Sequence, residues 1–166
     1  MTTKPRAAAE AALIYDLAFE VRIAAAPDVV WRALTSDIGR WWPAPFCCGG
    51  GQGPPRFTLE AKPGGRMFED WGSGDGLLWA TVVQVQQGKR LDVCGATGPA
   101  WGGPSTWFGT FELTADGGAT RLRFTESAFG RVTEASQREK EKGWRFLFEG
   151  ALRAHAEGKA PPTWEG

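Results

Sequence analysis

The sequence predicts an α+β fold in which a curved antiparallel sheet packs against one long C-terminal helix. Two observations lead there. Period-two segments fill the middle of the chain, while a three-to-four period runs over one long stretch near its end. The two patterns are also grouped apart, which argues against an alternating, Rossmann-like sheet.

The elements follow in order. Residues 1–15 read as a frayed, alanine-rich lead-in, 16–158 as a single domain and 159–166 as a tail. From Asp16, Leu17, Phe19, Val21 and Ile23 fall on one side of a half-buried strand, with Glu20 and Arg22 opposite. Pro27 and Asp28 suit the first turn of a helix carrying Val30, Trp31 and Leu34. A second short helix covers Asp37 to Trp42 and stops at Pro43. Residues 43–56 are too rich in glycine and proline for regular structure, and the run Gly49–Gly53 within them reads as a mobile flap. Strands resume at Phe57–Glu60 and Arg66–Trp71, separated by Pro63-Gly64-Gly65. Next come Leu78–Gln86, with Trp79, Thr81, Val83 and Val85 expected on one face, and Arg90–Cys94. After a loose segment from Gly95 to Pro104, Ser105–Leu113 places Trp107, Gly109, Phe111 and Leu113 together. Asp116-Gly117-Gly118 turns the chain into Thr120–Ser127, with Leu122 and Phe124 inward. From Glu134 to Glu157, Trp144, Leu147, Phe148, Ala151, Leu152 and His155 form a helical stripe, ended by Gly158 and Pro161-Pro162. The mixed-sign run Arg138–Lys142 reads as its solvated face. The expected count is about seven strands.

Composition narrows the function. Nine tryptophans and ten phenylalanines accompany a single histidine. Aromatic rings wall apolar pockets at low rotamer cost, whereas proton shuttles and metal sites draw on histidine. Lysine plus arginine equals aspartate plus glutamate at 19 each, so neither a nucleic-acid footprint nor a polybasic membrane patch is supported. No apolar run reaches membrane-spanning length, and the amino terminus has no secretory core. Three cysteines make no disulfide framework, and the absence of asparagine leaves no glycosylation acceptor, so a bacterial-type cytoplasm is expected.

Several short phrases stand along the chain in a specific order: Val21-Arg-Ile-Ala-Ala-Ala-Pro27, Val30-Trp31-Arg-Ala-Leu-Thr35, Trp41-Trp42, Pro63-Gly64-Gly65-Arg66 and Leu78-Trp79-Ala-Thr-Val82. Arg90-Leu91, Gly117-Gly118-Ala-Thr-Arg-Leu122, Phe129-Gly130 and Gly143-Trp144 complete the set, which spans roughly Asp16 to Glu157. In this order they resemble the START-like superfamily (SRPBCC) of polyketide cyclases and birch-pollen allergens, nearest its branch of chaperone-ATPase activator homologues. The resemblance implies a helix-grip fold, a sheet wrapped around the terminal helix with a cavity between them. It leaves open lipid or metabolite binding, cyclase chemistry and chaperone co-factor roles.

The expected ligand-binding residues are Trp41, Phe57, Phe68, Trp79, Trp107, Phe111, Phe124, Glu126, Trp144 and Phe148, with Gly109 loosening the packing among them. Taken singly, each ring reads more readily as part of a solid core; the set as a whole is what points to a cavity. Glu126 has two readings. Counted by twos from Phe124 it points inward as a polar anchor or general base; if the strand ends near Thr125 it is solvated. His155 reads as a packed helix-end residue, and Cys47, Cys48 and His155 match no trusted metal spacing. The run Gly49–Gly53 is not a phosphate loop, because no Lys-Ser/Thr pair or helix follows. The expectation is a cytoplasmic binder of a small hydrophobic, ring-containing or lipid-like molecule, without cofactor or metal. The alternatives are a cyclase or hydrolase using Glu126, and a chaperone co-factor. The last ranks lowest, since no extra amino-terminal domain is seen. A homodimer stays open.

Overall fold

The structure, a computed structural model, describes residues 11–49 and 56–165. Residues 1–10 of the expected lead-in and 50–55 of the glycine-rich loop therefore lie outside the described residues. One seven-stranded antiparallel sheet runs in the order β1-β7-β6-β5-β4-β3-β2. Its strands are β1 (Leu13–Ile23), β2 (Arg56–Leu59), β3 (Arg66–Gly72), β4 (Asp75–Gln86), β5 (Arg90–Thr97), β6 (Ser105–Asp116) and β7 (Ala119–Gly130). Helices α1 (Pro27–Leu34) and α2 (Ile38–Trp41) follow β1. Helix α3 (Glu134–Arg145) continues as a π-helical segment over Phe146–Leu152 and a last turn at Arg153–Ala156.

Local chemistry explains the starts and stops. Pro27 opens α1 without a side-chain cap, as Ala26 requires, while Thr133 and Ser136 exchange hydrogen bonds in a capping box that starts α3. Gly158, at φ +66°, ends the rod. Near the end of the rod Ala154 is buried where the stripe anticipated His155, which sits half-buried with Nε2 3.8 Å from Asp37 Oδ2.

Three face assignments need correction. In β4, Trp79 has no partner between the pairs Met67↔Ala80 and Phe68↔Leu78, and Val83 none between Val82↔Val93 and Gln84↔Asp92. Each extra residue reverses the alternation. Trp79 therefore joins Ala80 and Val82 on the inner side, while Thr81 and Val83 face out. In β3, Met67 and Glu69 point inward, which puts Phe68 on the outer face under the Arg66 guanidinium, 4.4 Å from the ring centroid. Gly109 opens no space, because Trp107, Val93 and Phe124 already lie 3.2–3.5 Å from where its Cβ would be.

The middle of the sheet–helix interface is filled. Phe124 is fully buried, with the rings of Phe111, Phe148, Trp144 and Phe19 at 4.9, 5.0, 5.3 and 5.5 Å. The tail is not free either, for Trp164 packs on Phe46 and Phe146 at 4.9 and 4.8 Å.

Candidate functional site

Space remains at one end of the interface. A cleft of about 140 Å³ lies between the sheet and α3, walled by Trp79, Trp107 and Trp144, with Leu77, Leu78 and Trp101 at its rim. Trp101 is 56% exposed and sits on the turn Pro99–Trp101. An adjoining hollow of about 230 Å³ is more polar, bordered by Ser105, Ser136, Gln137, Glu126 and Lys140, and it shares Thr97, Trp101 and Lys140 with the cleft. Larger concavities occur elsewhere, the largest about 660 Å³ beside Arg90, Glu112 and Arg123. That one is solvent-open and lined by ion-paired side chains, so volume alone does not mark the site.

Backbone geometry builds the walls. Gly95 stands opposite Trp107 in the β5–β6 pair, and a Cβ there would come 2.4 Å from both the Trp107 ring and the Trp79 carbonyl. Only glycine lets this indole lie flat against the sheet. The β4 bulge swings Trp79 inward to meet Trp42 and Phe57 edge-on, at 5.6 and 5.7 Å. Trp144 stacks on Phe148 from α3.

Two of the indole donors around the cleft, those of Trp79 and Trp144, are spent on buried carboxylates. Trp144 Nε1 donates to Glu126 Oε2 at 2.6 Å. The other oxygen, Oε1, has Lys140 Nζ at 2.6 Å in an ion pair whose angles are not those of a hydrogen bond. Lys140 also lies 5.2 Å from the centre of the Trp107 ring. Trp79 Nε1 donates to Glu69 Oε1 at 2.7 Å.

Glu69 has no exposure at all. Besides Trp79 it accepts from Trp71 Nε1 at 2.8 Å, the Cys48 amide at 2.9 Å and the Gly49 amide at 3.0 Å. All these donors are N–H groups of neutral residues, and hydrogen bonds to a charged acceptor contribute about 1.5–3 kcal/mol each. The described end of the glycine-rich loop is thus pinned rather than loose, with a short helical turn at Ala44–Phe46 before it. Burial pushes the Cys47 thiol up to about 11 and raises Cys48, the Glu69 charge adding to both. Among the described residues, no group of three or more His, Cys, Asp or Glu side chains is placed to hold a metal ion. None of the described helices is long and apolar enough to cross a membrane.

The profile of the Activator of Hsp90 ATPase homolog 1-like protein family matches residues 24–157. The chain belongs to this family. Protein Mll3558 from Rhizobium loti is a similar solved structure, with 25% identity, a TM-score of 0.62 and coverage of 87% of this chain and 99% of that one. An uncharacterised protein from Rhizobium leguminosarum shares 22% identity at a TM-score of 0.67, over 90% and 98% of the two chains. Ara h 8.0201 shares only 10% identity but superposes at 0.64 over 88% and 99%. These likenesses agree with the START-like superfamily and the helix-grip fold. No curated protein matches in sequence.

In this family member the ten sequence-predicted residues divide into three groups. Trp79, Trp107, Trp144 and Glu126 border the cleft or the adjoining hollow. Phe111, Phe124 and Phe148 form the solid centre, and so do Phe57, stacked on Trp42 at 3.9 Å, and Trp41, whose Nε1 donates to the Ala33 carbonyl. Phe68 is outside. Glu126 is 2% exposed because β7 continues to Gly130, so the solvated reading fails. Sequence reasoning missed Lys140, and it offered Glu69, with Asp70 and Arg66, only as a possible partner of Glu126 with no face assigned, whereas Glu69 bonds Trp71, Trp79 and the Cys48 and Gly49 amides. Lys140 stands one helical turn before Trp144, and that i,i+4 spacing was the available signal inside a run read as solvated.

Proposed function

We propose that the protein binds a small, flat, hydrophobic molecule in the indole-lined cleft. The observation that carries this reading is the convergence of Trp79, Trp107 and Trp144 on a space of about 140 Å³. An apolar cavity of about 150 Å³ takes up a single benzene-sized ring. With the N–H groups of Trp79 and Trp144 turned into carboxylates, these two walls offer carbon and π-surface. A ring fits there, and a more polar extension of the same ligand fits the hollow beside Lys140, Ser105 and Gln137. The sheet–helix cavity anticipated for this fold is thus reduced to its open end. Glu126 acts in this reading as the anchor of Lys140 and Trp144 and not as an acid–base group, since both of its oxygens are engaged. The cytoplasm suits the protein, as all three cysteines are free thiols.

Titration with naphthalene, flavone and a C12 fatty acid, followed by tryptophan fluorescence and thermal shift, tests the proposal. Saturable quenching and stabilisation by the planar compounds is the expected result. No response to any of them would refute it, and stimulation of a chaperone ATPase without ligand binding would favour the co-factor reading instead.

A further inference from the structure

Glu69 takes no part in ligand contact as described above, yet it joins three separate pieces of the cleft. It lies on β3, it receives the Trp79 indole from β4, and it receives the amides of Cys48 and Gly49, which follow α2 and the Ala44–Phe46 turn along the chain. Cys48 is itself part of the cleft lining. A carboxylate is needed for this. Its two oxygens offer about four acceptor sites and no donor, whereas a glutamine would turn an NH₂ group toward the same N–H donors.

Gly49 supplies an independent observation. A Cβ there would lie 2.0 Å from Trp71 Nε1. Glycine at this position lets the backbone approach close enough for its amide and the Trp71 indole to share Glu69 Oε2. The first residue of the glycine-rich run thus has a reason in this side chain's needs.

We propose that Glu69 is the positioning residue of the cleft, fixing the Trp79 wall and holding the Cys48–Gly49 backbone against it so that the slot is preformed for a planar ring. The proposal rests on the reading of the cleft as a ring-binding site. It accounts for an otherwise unexplained choice, a carboxylate buried among indoles with no cation bonded to it among the described residues, since an apolar residue there would leave two indole and two amide donors without acceptors.

The test uses the full chain and its Glu69→Gln and Gly49→Ala variants. Two ligand-free readouts come first, the ¹H–¹⁵N shifts of the Trp71 and Trp79 indoles and hydrogen exchange of the Cys48 and Gly49 amides (the residue-49 amide in Gly49→Ala). Both variants are expected to move the indole signals and speed amide exchange at least tenfold, while exchange in β6 and β7 stays within twofold of wild type. Naphthalene affinity is then expected to fall at least fivefold. Unchanged indole shifts and exchange would overturn the proposal, as would changed exchange with naphthalene affinity retained within twofold. If the wild-type chain binds no ring compound while the indole and exchange changes occur, the ring-binding function fails and Glu69 keeps only its hold on the cleft wall. Should Glu69→Gln not fold, Gly49→Ala alone decides, because its side chain disturbs the same contacts from outside the core.

Discussion

Truncating Phe124 to alanine measures whether the sheet–helix interface is solid. This side chain is fully buried and meets four other rings at centroid distances between 4.9 and 5.5 Å. Its neighbours belong to β1, β6 and both parts of the terminal rod, so no single element can move in to fill the gap. Removing a ring so enclosed costs its transfer free energy plus a cavity term, about 3–5 kcal/mol. A ring facing a hollow would already lack partners on one side and would cost roughly half as much. At this chain length about 3–5 kcal/mol corresponds to a fall in Tm of roughly 6–20 °C. Urea titration of wild type and Phe124→Ala, analysed at equal slope, gives the difference directly. A loss below about 2 kcal/mol would refute the filled interior and restore a cavity in the middle of the fold. A loss in the expected range, accompanied by new benzene binding in the variant, would show that the void has been created by the mutation.

Two other outcomes follow from the ionisable groups. With its thiol pushed up to about 11 from 9.0, Cys47 should be alkylated by iodoacetamide at pH 8 about a hundredfold more slowly in the folded chain than after unfolding, read by mass spectrometry. Hydrogen bonds from Arg66 hold Glu60 at about 2, the Gly72 amide and Arg56 lower Asp70, and the Ala24 amide and Lys159 lower Glu157. Depressed folded-state values favour the folded chain above the unfolded values near 4–4.5. Thermal stability should therefore decline between about pH 4.5 and pH 2, and a flat profile there would contradict these pairings.

The legible parts of the fold are those where alternation is uninterrupted. β1, β6 and β7 pair without register shifts, and Leu17, Phe19, Trp107, Phe111, Leu122 and Phe124 fall where counting by twos puts them. β3 and β4 are the less legible strands. On β3 the sequence does not fix the face of Glu69, and placing Phe68 inward turns the whole strand over. What keeps Glu69 inside is a set of donors 10, 20 and 21 residues away along the chain, a non-local fact invisible to periodicity. Bulges at Trp79 and Val83 are likewise backbone events with no side-chain signature. The cleft was only partly legible because a stripe of inward rings does not say where the packing ends. That boundary is drawn by Gly95 and by the bulge at Trp79.

Glu126 and Lys140 offer the sharpest distinction between an anchor and a catalyst. The carboxylate is wholly buried while the lysine is 31% exposed, so the pair sits at the boundary between core and hollow. Removing the cation in Lys140→Ala leaves a buried charge with only the Trp144 N–H to solvate it, and such a break costs up to about 3–5 kcal/mol. Partial exposure of the lysine places the expected loss near the lower end of that range. Glu126→Gln alone leaves Lys140 able to reach water, so it should cost less, and the double variant Glu126→Gln/Lys140→Ala should recover much of the loss. A double-mutant cycle by urea titration should then yield a coupling of about 2–3 kcal/mol. Coupling below about 0.5 kcal/mol would remove the anchor role. The cycle also bears on chemistry, because a general base must exchange its proton with a ligand. A carboxylate held by a lysine on one oxygen and an indole on the other is already committed to shaping the wall. If naphthalene affinity in the four proteins follows the order of stability, Glu126 serves the cleft by holding Lys140 and Trp144 in place.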